Sequence, residues 1–426
     1  MKDIICDLAT KLGLGKITGE IRTVSGGLMH RMFRVETESG VYAVKCLNPE
    51  IMKRPGVLEN YARAEALERR LEENGLPIVP ALSFDDKKMQ EEGGRYFYVY
   101  RWQEGSITDC NAITKEQCYI AGEIQGKIHT IDAKKAEAES PELCEIDFRA
   151  YMEKAKDQGS PIATLLADNI ELLEAAVVKL NEARKNLPQV RAVIDDDMDP
   201  KNVMWHEGKP YVIDLECLDY GNPVASCFNL ALQWAGTVNG KYTEENLVAF
   251  FDGYLNAYDN SFRAYDKLFG IAYSWVEWLE YNVRRALGLE GSDANEISLG
   301  ELEVKNTIGR IKYLGNLEEK ISHALRNRIT PAINFSTITA CGECCVGCAK
   351  KVSGECPGCI EADGRVPEWA GSGRCKIHAC AREHGVQFCG LCVNFPCTKI
   401  PEIIHWNPNI VPHLTKLRDT YRNRLT

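Results

Sequence analysis

No stretch of this sequence approaches the roughly 18–20 consecutive apolar residues that a membrane span needs. The first residues, MKDIICDLATKLGLGK, lack the apolar stretch and small-residue cleavage site of a secretory leader, so a cytoplasmic, reducing setting is expected. Internal repeats and low-complexity tracts are also missing, and the 45% hydrophobic and 26% charged shares argue against a disordered or fibrous chain. Basic charge is in deficit: 51 Lys and Arg stand against 61 Asp and Glu, a formal charge of -10. Such a chain is a poor electrostatic match to nucleic acid.

The sequence is long enough, at 426 residues, for two or three domains. Its 18 cysteines are unevenly spread. Cys6, Cys46, Cys110, Cys118, Cys144, Cys217 and Cys227 are scattered over residues 1–340, where they read as small buried hydrophobes. The other 11 crowd into residues 341–397. Charge divides at the same place, with a formal -13 before residue 341 and +3 after it. The stretch 327–340 loses helical periodicity and reads as a linker.

The first hundred residues read as strands over 21–24, 31–37, 41–47 and 95–102, with an amphipathic helix over 58–74 stopped by Gly75 and Pro77. From about 111 to 325 the pattern is mostly helical, over 115–131, 147–157, 162–186, 244–258, 264–287 and 302–326. One β-like segment interrupts it, VIDDDMDPKNVMWHEGKPYVIDLE at 193–216, with a turn at Glu207-Gly208.

That segment carries the chemistry. With the turn at 207–208, paired residues have numbers summing to about 416, which sets Asn202 opposite Asp214. Cross-strand neighbours lie about 4.5–5.5 Å apart, so an amide oxygen and a carboxylate there can share one Mg²⁺. Asp197 stands five residues before Asn202, where its carboxylate can take a proton from an attacking hydroxyl. One base and two metal ligands form a phosphoryl-transfer set. The N-terminal strands add two further parts. Ser25, Gly26 and Gly27 form a loop whose amides can approach phosphate oxygens. In VYAVKCL, strand alternation puts Val41, Ala43, Lys45 and Leu47 on one face. An inward lysine needs an anionic partner, and Glu65 in the 58–74 helix is the expected one.

On these residues the stretch from about 20 to 325 resembles the aminoglycoside phosphotransferase family. This is the small-molecule branch of the protein-kinase-like fold, which includes choline, homoserine and methylthioribose kinases. The matching pieces run in family order: SGG at 25–27, AVK at 43–45, Glu65, YVYRWQEG at 98–105, Ile128-His129, DDDMDPKN at 195–202, IDLE at 213–216 and YGNP at 220–223. The resemblance implies an α+β, two-lobed protein-kinase-like fold with a β-rich N-lobe over 1–104 and a helical C-lobe over 105–326. By it Asp197 is the catalytic carboxylate, and Asn202 and Asp214 hold Mg²⁺. Lys45, with Glu65 behind it, contacts the α/β-phosphates of ATP, and backbone groups near Tyr100 and Trp102 take the adenine. The sequence departs from the family at Asp195 and Asp199, where histidines are usual, and at 226–229, where SCFN replaces a usual aspartate. Clustered aspartates at 195–199 raise one another's pKa values.

Only eight residues separate Asp214 from Pro223, too few for a peptide-docking activation segment. A small alcohol is therefore the expected acceptor. In SWVEWLEYNVRRALG (274–288), Trp275 and Trp278 share one stripe, and Glu277, Glu280 or Tyr281, and Arg284 make another. Aromatic and acidic groups together suit a cationic amine, and a core tryptophan pair is the alternative.

In the tail, Cys341, Cys344, Cys345, Cys348, Cys356, Cys359, Cys375, Cys380, Cys389, Cys392 and Cys397 fall in short-spaced groups. Paired C-x2-C turns suit closed four-thiolate Zn²⁺ sites, with an iron–sulfur cluster as the rival and His378 and His384 as spare ligands. The small Gly- and Cys-rich segment is expected to bury little core and to fold on its metal. Residues 341–426 thus read as a zinc-binding module with a C-terminal helix, and 340–400 resembles a small cysteine-rich bacterial domain family of unknown function. The expected activity is an ATP- and Mg²⁺-dependent phosphotransferase acting on a small, cationic alcohol such as an amino alcohol or amino sugar, with a protein partner conceivable through the cysteine module. A nucleotide-binding pseudokinase serving as a metal-dependent interaction protein, or a thiol redox sensor, is the alternative.

Overall fold

A computed structural model describes residues 1–24, 30–132, 134, 135, 141–258, 262, 264–291, 293–327, 335–345, 349–400, 404 and 407–423. Ser25, Gly26, Gly27 and Cys348 lie outside the described residues. The chain divides into two compact units, Met1–Pro331 and Ala332–Thr426.

The first unit opens with α1 (Lys2–Lys11), a helix not expected from the sequence. The strands β1 (Arg22–Val24), β2 (Arg31–Thr37) and β3 (Gly40–Cys46) follow, then helices α2 (Pro49–Met52) and α3 (Val57–Glu73), then β4 (Gln90–Glu92) and β5 (Arg95–Arg101). The strands form one antiparallel sheet in the order β1-β2-β3-β5-β4. Alternation divides it cleanly. Phe33, Val35, Val44, Phe97 and Val99 join Ile5 and Leu8 of α1 in one apolar cluster. Lys45 lies directly across from Tyr98. Tyr98 packs with Leu47 and with Tyr61 of α3 in a separate cluster.

Next come β6 (Ser106–Ile107), α4 (Lys115–Thr130), β7 (Lys134–Lys135), α5 (Phe148–Asp157), α6 (Ile162–Ala167) and α7 (Ile170–Lys185). The strands β8 (Val190–Asp195), β9 (Val203–His206), β10 (Lys209–Val212) and β11 (Leu218–Gly221) lead into α8 (Pro223–Trp234), α9 (Glu244–Ala257), α10 (Trp275–Ala286) and α11 (Ala294–Asn327). Helices α4 and α9 touch backbone to backbone. A Cβ on Gly122 would stand 2.0 Å from the Phe250 carbonyl oxygen, and one on Gly253 2.0 Å from that of Tyr119. Only glycine permits this approach, and it seats His129 of α4 against Tyr254 of α9.

Two expected helices are broken. The 162–186 run splits at Asn169, whose side chain donates 2.6 Å to the Leu165 carbonyl and competes with the helix ladder. Residues 265–274 form 3₁₀ turns, so the expected 264–287 helix begins only at Trp275.

The second unit contains α12 (Ala349–Val352), α13 (Lys376–Glu383) and α14 (Ile410–Asn423). Contrary to expectation it has its own apolar core, built around Phe335, Ile377, Phe388, Ile400 and Leu414. Phe335 stacks on Phe388 with centroids 6.0 Å apart. Much of this core comes from residues on either side of the cysteine span, which the composition of 341–397 alone does not reveal. No helix among the described residues is long and apolar enough to cross a membrane.

Candidate active site

β9 and β10 join through Glu207 (φ 50°) and Gly208 (φ 77°), a two-residue turn whose positive φ angles match the twist of a tight hairpin. His206 therefore pairs with Lys209, and Val203 with Val212. Pair numbers sum to one less than expected, so Asn202 faces Ile213 rather than Asp214. The Ile213 amide donates 2.9 Å to the Asn202 carbonyl. Asp214 lies past the strand in a left-handed conformation (φ 63°, ψ 57°). Aspartate tolerates this backbone better than most residues, and it points the carboxylate at Lys45, with Oδ1 2.7 Å from Nζ.

Asp197 lies on the turn after β8, and the loop is tied down around it. Its amide donates 3.2 Å to Asp195 Oδ1, and its carbonyl accepts 2.8 Å from Asn202 Nδ2. Trp234 of α8 donates 3.0 Å to the Met198 carbonyl. Lys201 bridges Asp197 Oδ1 at 3.1 Å and Asp199 Oδ2 at 2.7 Å. Burial holds the Asp197 carboxyl above its ordinary pKa, with Asp199 adding to that and Lys201 opposing it. Asp195 is fully buried, and its Oδ2 has no hydrogen-bond partner. Burial first and Asp197 second push its carboxyl well up, which favours the neutral acid. Asn202 is 5% exposed. With Nδ2 committed to Asp197, its Oδ1 remains as an acceptor, and Asp214 is the residue after its pairing partner Ile213. That donor pair fits a hard divalent cation such as Mg²⁺.

Lys45 is 4% exposed and faces inward as expected, but its expected partner is wrong. Nζ lies 2.7 Å from Asp214 Oδ1 and 2.7 Å from Glu216 Oε1. Burial works to lower its pKa, yet Glu216 and Asp214 outweigh that, and the net pKa is raised. Glu65 instead accepts 2.8 Å from the Tyr98 hydroxyl and 3.2 Å from the Met89 amide. The nearest turn of α3 to bring a carboxylate inward elsewhere is Glu68, which is paired with Lys88 at 2.6 Å. In the 98–105 stretch, Tyr100 sits in the ladder opposite Ala43, and the Trp102 amide donates 3.0 Å to the Val41 carbonyl. That amide is therefore not free for adenine, and Trp102 leaves only its carbonyl for such a contact.

A cavity of about 480 Å³ adjoins the Asp197 loop, lined by Asp196, Asn229, Gln233, Trp275, Glu277 and Trp278 among others. The aromatic pair expected from the sequence is there. The acidic stripe is not available as expected. Glu277 is held in a two-pronged ion pair by Arg184 at 2.9 and 2.8 Å. Glu280 accepts 2.7 Å from the Tyr151 hydroxyl, Arg284 bonds Glu290 at 2.7 Å, and Tyr281 accepts 2.9 Å from Arg54. The carboxylate the cavity offers is Asp196, which the sequence reading passed over. The signal was in view: a third aspartate directly before the candidate base. A buried chain holds it. Tyr254 donates 3.2 Å to the Pro223 carbonyl and lies 3.0 Å from His129 Nδ1. Gln125 Nε2 reaches His129 Nε2 at 2.7 Å and Ser226 Oγ at 2.9 Å, and burial raises the Asp196 pKa while the Ser226 hydroxyl works against that. Burial lowers the His129 pKa to about 3, so the ring is neutral and its one proton sits on Nδ1. Gln125 thus donates in two directions, one through Ser226 toward Asp196 and the other through His129 and Tyr254 to the Pro223 carbonyl.

In the second unit the thiols lie near one another without converging. Cys359 has Cys345, Cys341 and Cys375 nearby; burial and then these neighbours push it up to about 12. Burial pushes Cys389 up to about 11, helped by Cys397, Cys380 and Cys392. Cys344 turns away to Thr337, 3.5 Å off, and Cys356 is half-buried. His378 Nε2 is paired with Asp363 at 3.0 Å, its Nδ1 is buried without a hydrogen-bond partner, and His384 Nδ1 lies 2.9 Å from the Cys380 carbonyl. Among the described residues no group of three or more His, Cys, Asp or Glu side chains is arranged to hold a metal ion.

Comparison with known proteins bears on the first unit. The model of a family described as the APH phosphotransferase enzyme family matches residues 20–268. Among solved structures, a spectinomycin phosphotransferase in complex with ADP and spectinomycin has a TM-score of 0.51 at 14% identity, covering 75% of this chain and 97% of its own. An amicoumacin kinase bound to AMP-PNP and Ca²⁺ has a TM-score of 0.48 at 13% identity, over 76% of this chain and 94% of its own. A choline kinase from Cryptosporidium parvum scores 0.43 at 13% identity, over 77% and 99%. Among curated proteins no sequence matches. The first of these likenesses shows the fold, which is α+β and protein-kinase-like, with a β-sheet lobe and a helical lobe.

Proposed function

The chain belongs to the APH phosphotransferase enzyme family and is a small-molecule kinase; from that premise we propose that it transfers the γ-phosphoryl group of ATP, with Mg²⁺, to the hydroxyl of a small cationic alcohol. The observation that carries this reading is the position of Asp196 and Asp197. They are consecutive residues, one facing the acceptor-sized cavity and the other beside Asn202 and Lys201.

In this reading Asp197 aligns the acceptor hydroxyl and takes its proton. Lys45 contacts the nucleotide phosphates, and Asn202 and Asp214 hold the metal. When bound, the Mg²⁺ neutralises charge on the phosphates as the group transfers. The protein's part is mainly positioning and electrostatics. Trp275 and Trp278 wall the acceptor's apolar portion, and Asp196 meets its ammonium. Glu277 contributes little net charge because Arg184 cancels it.

The test is ADP formation with amino alcohols and amino sugars against neutral polyols of matched size. The cationic members should raise the rate and the neutral ones should not. Equal stimulation by both would contradict the assignment of acceptor charge.

The cysteine-rich unit is proposed to bind zinc by drawing Cys341, Cys345, Cys359 and Cys375 together around one ion and Cys380, Cys389, Cys392 and Cys397 around another. Thiols that raise one another's pKa gain most from a cation that lets all of them ionise. Metal analysis of the purified chain should find about two zinc ions in a colourless protein, the number two four-thiolate sites require. Brown visible absorbance with iron would replace zinc by an iron–sulfur cluster.

A further inference from the structure

We propose that Glu216, rather than Glu65, is the carboxylate that holds Lys45 in place for the nucleotide phosphates. This rests on the nucleotide-binding reading above and adds to it the residue that positions the phosphate contact.

Lys45 has two anions within 2.7 Å, Asp214 and Glu216. Asp214 is the one a divalent cation would recruit. Once its oxygens are engaged there, Lys45 needs another carboxylate to keep a buried ammonium charged. Glu65 does not supply it: its Oε1 takes bonds from Tyr98 and Met89, and the carboxylates at ion-pair distance from Lys45 are Asp214 and Glu216. Glu68 does not supply it either, because Lys88 and the Ala81 amide hold it, each at 2.6 Å. Glu216 remains.

It is also braced from the opposite side. His30 Nε2 lies 3.2 Å from Glu216 Oε2. The Asn48 amide donates 3.0 Å to His30 Nδ1, which leaves the ring's proton on Nε2, facing the carboxylate. With one oxygen beside a histidine and the other at ion-pair distance from an ammonium, the Glu216 carboxylate is flanked at both ends. His30 belongs to the sheet lobe and Glu216 follows the metal-side turn, so the two lobes meet in this arrangement. Glu216 is a positioning residue; it acts through Lys45.

The test compares Glu216→Gln and Glu65→Gln in the full chain with two readouts. The first is calorimetric binding of a non-hydrolysable ATP analogue. Glu216→Gln should weaken it roughly tenfold or more, the usual consequence of leaving a buried charge short of its partner. It should raise the nucleotide KM while leaving the acceptor KM in place. Glu65→Gln should stay within about twofold. The second readout needs no nucleotide: labelling of Lys45 by an amine-reactive ester, followed by peptide mass spectrometry. Glu216→Gln should speed labelling several-fold relative to wild type and to Glu65→Gln. Faster labelling in a protein that binds no nucleotide would keep the Lys45–Glu216 assignment and remove the phosphotransfer reading. Unchanged binding and labelling in Glu216→Gln, with both altered in Glu65→Gln, would overturn the assignment. Glu216→Asp, shorter but charged, should recover part of the binding; no recovery in a variant with wild-type thermal stability would also count against it.

Discussion

Asp197→Asn should lower phosphoryl transfer by roughly 10²–10⁴-fold, the range a positioned acid–base group supplies. Nucleotide affinity should hardly change. The amide keeps the size of the side chain, and the loop is anchored by backbone bonds from Asp197 to Asp195 and Asn202 that the substitution leaves intact. The wild-type pH profile should carry the mark of the same carboxyl. Burial raises the Asp197 pKa despite Lys201. A base must be ionised to act, so as pH falls through the raised value the rate should drop, and this should happen above the ordinary aspartate value of about 3.9. The residual rate of Asp197→Asn should lack that acid limb. Steady-state kinetics across pH, with nucleotide binding measured separately, checks both. A variant that still turns over within about tenfold of wild type would remove Asp197 from the mechanism.

Asp196→Asn should raise the acceptor KM roughly 10–100-fold for an ammonium-bearing alcohol. A charge-assisted hydrogen bond contributes about 1.5–3 kcal/mol, and the amide forfeits the charge. Neutral acceptors should lose little, because the amide keeps the size of the side chain and its hydrogen-bonding oxygen. The nucleotide KM should stay put, since Asp196 faces the cavity rather than Lys45. The informative quantity is the ratio of the two acceptor effects. Equal losses for charged and neutral acceptors would show that Asp196 shapes the loop rather than reading the ammonium.

The parts of the site that follow from local pattern were legible in the sequence. Strand alternation turned Lys45 inward, and the D-x4-N-x11-D spacing around one hairpin brought Asp197, Asn202 and Asp214 to one end of it. What failed depended on tertiary detail. A one-residue error in register came from the two-residue turn at Glu207-Gly208, and it concealed that Asp214 reaches Lys45 through a left-handed backbone rather than a strand pair. Pairing Lys45 with Glu65 assumed which carboxylate is closest in space, and spacing along α3 cannot tell that Tyr98 has already claimed it. Glu216 and His30 were inside quoted motifs, but only the fold sets them together. Asp196 stood in plain sight in DDD, yet its partner Ser226 is thirty residues on, and Gln125 and His129 come from α4. In the second unit the cysteine pairs could be read, whereas the grouping of Cys345 rather than Cys344 with Cys359 could not.

The most direct measurement is phosphorus NMR of the full chain with ATP, Mg²⁺ and a set of amino alcohols and amino sugars. A phosphomonoester signal should grow in step with ADP for at least one acceptor, and it should vanish in Asp197→Asn. ADP accompanied only by inorganic phosphate, or bound nucleotide that no acceptor ever discharges, would contradict the account and leave a nucleotide-binding protein without phosphotransfer.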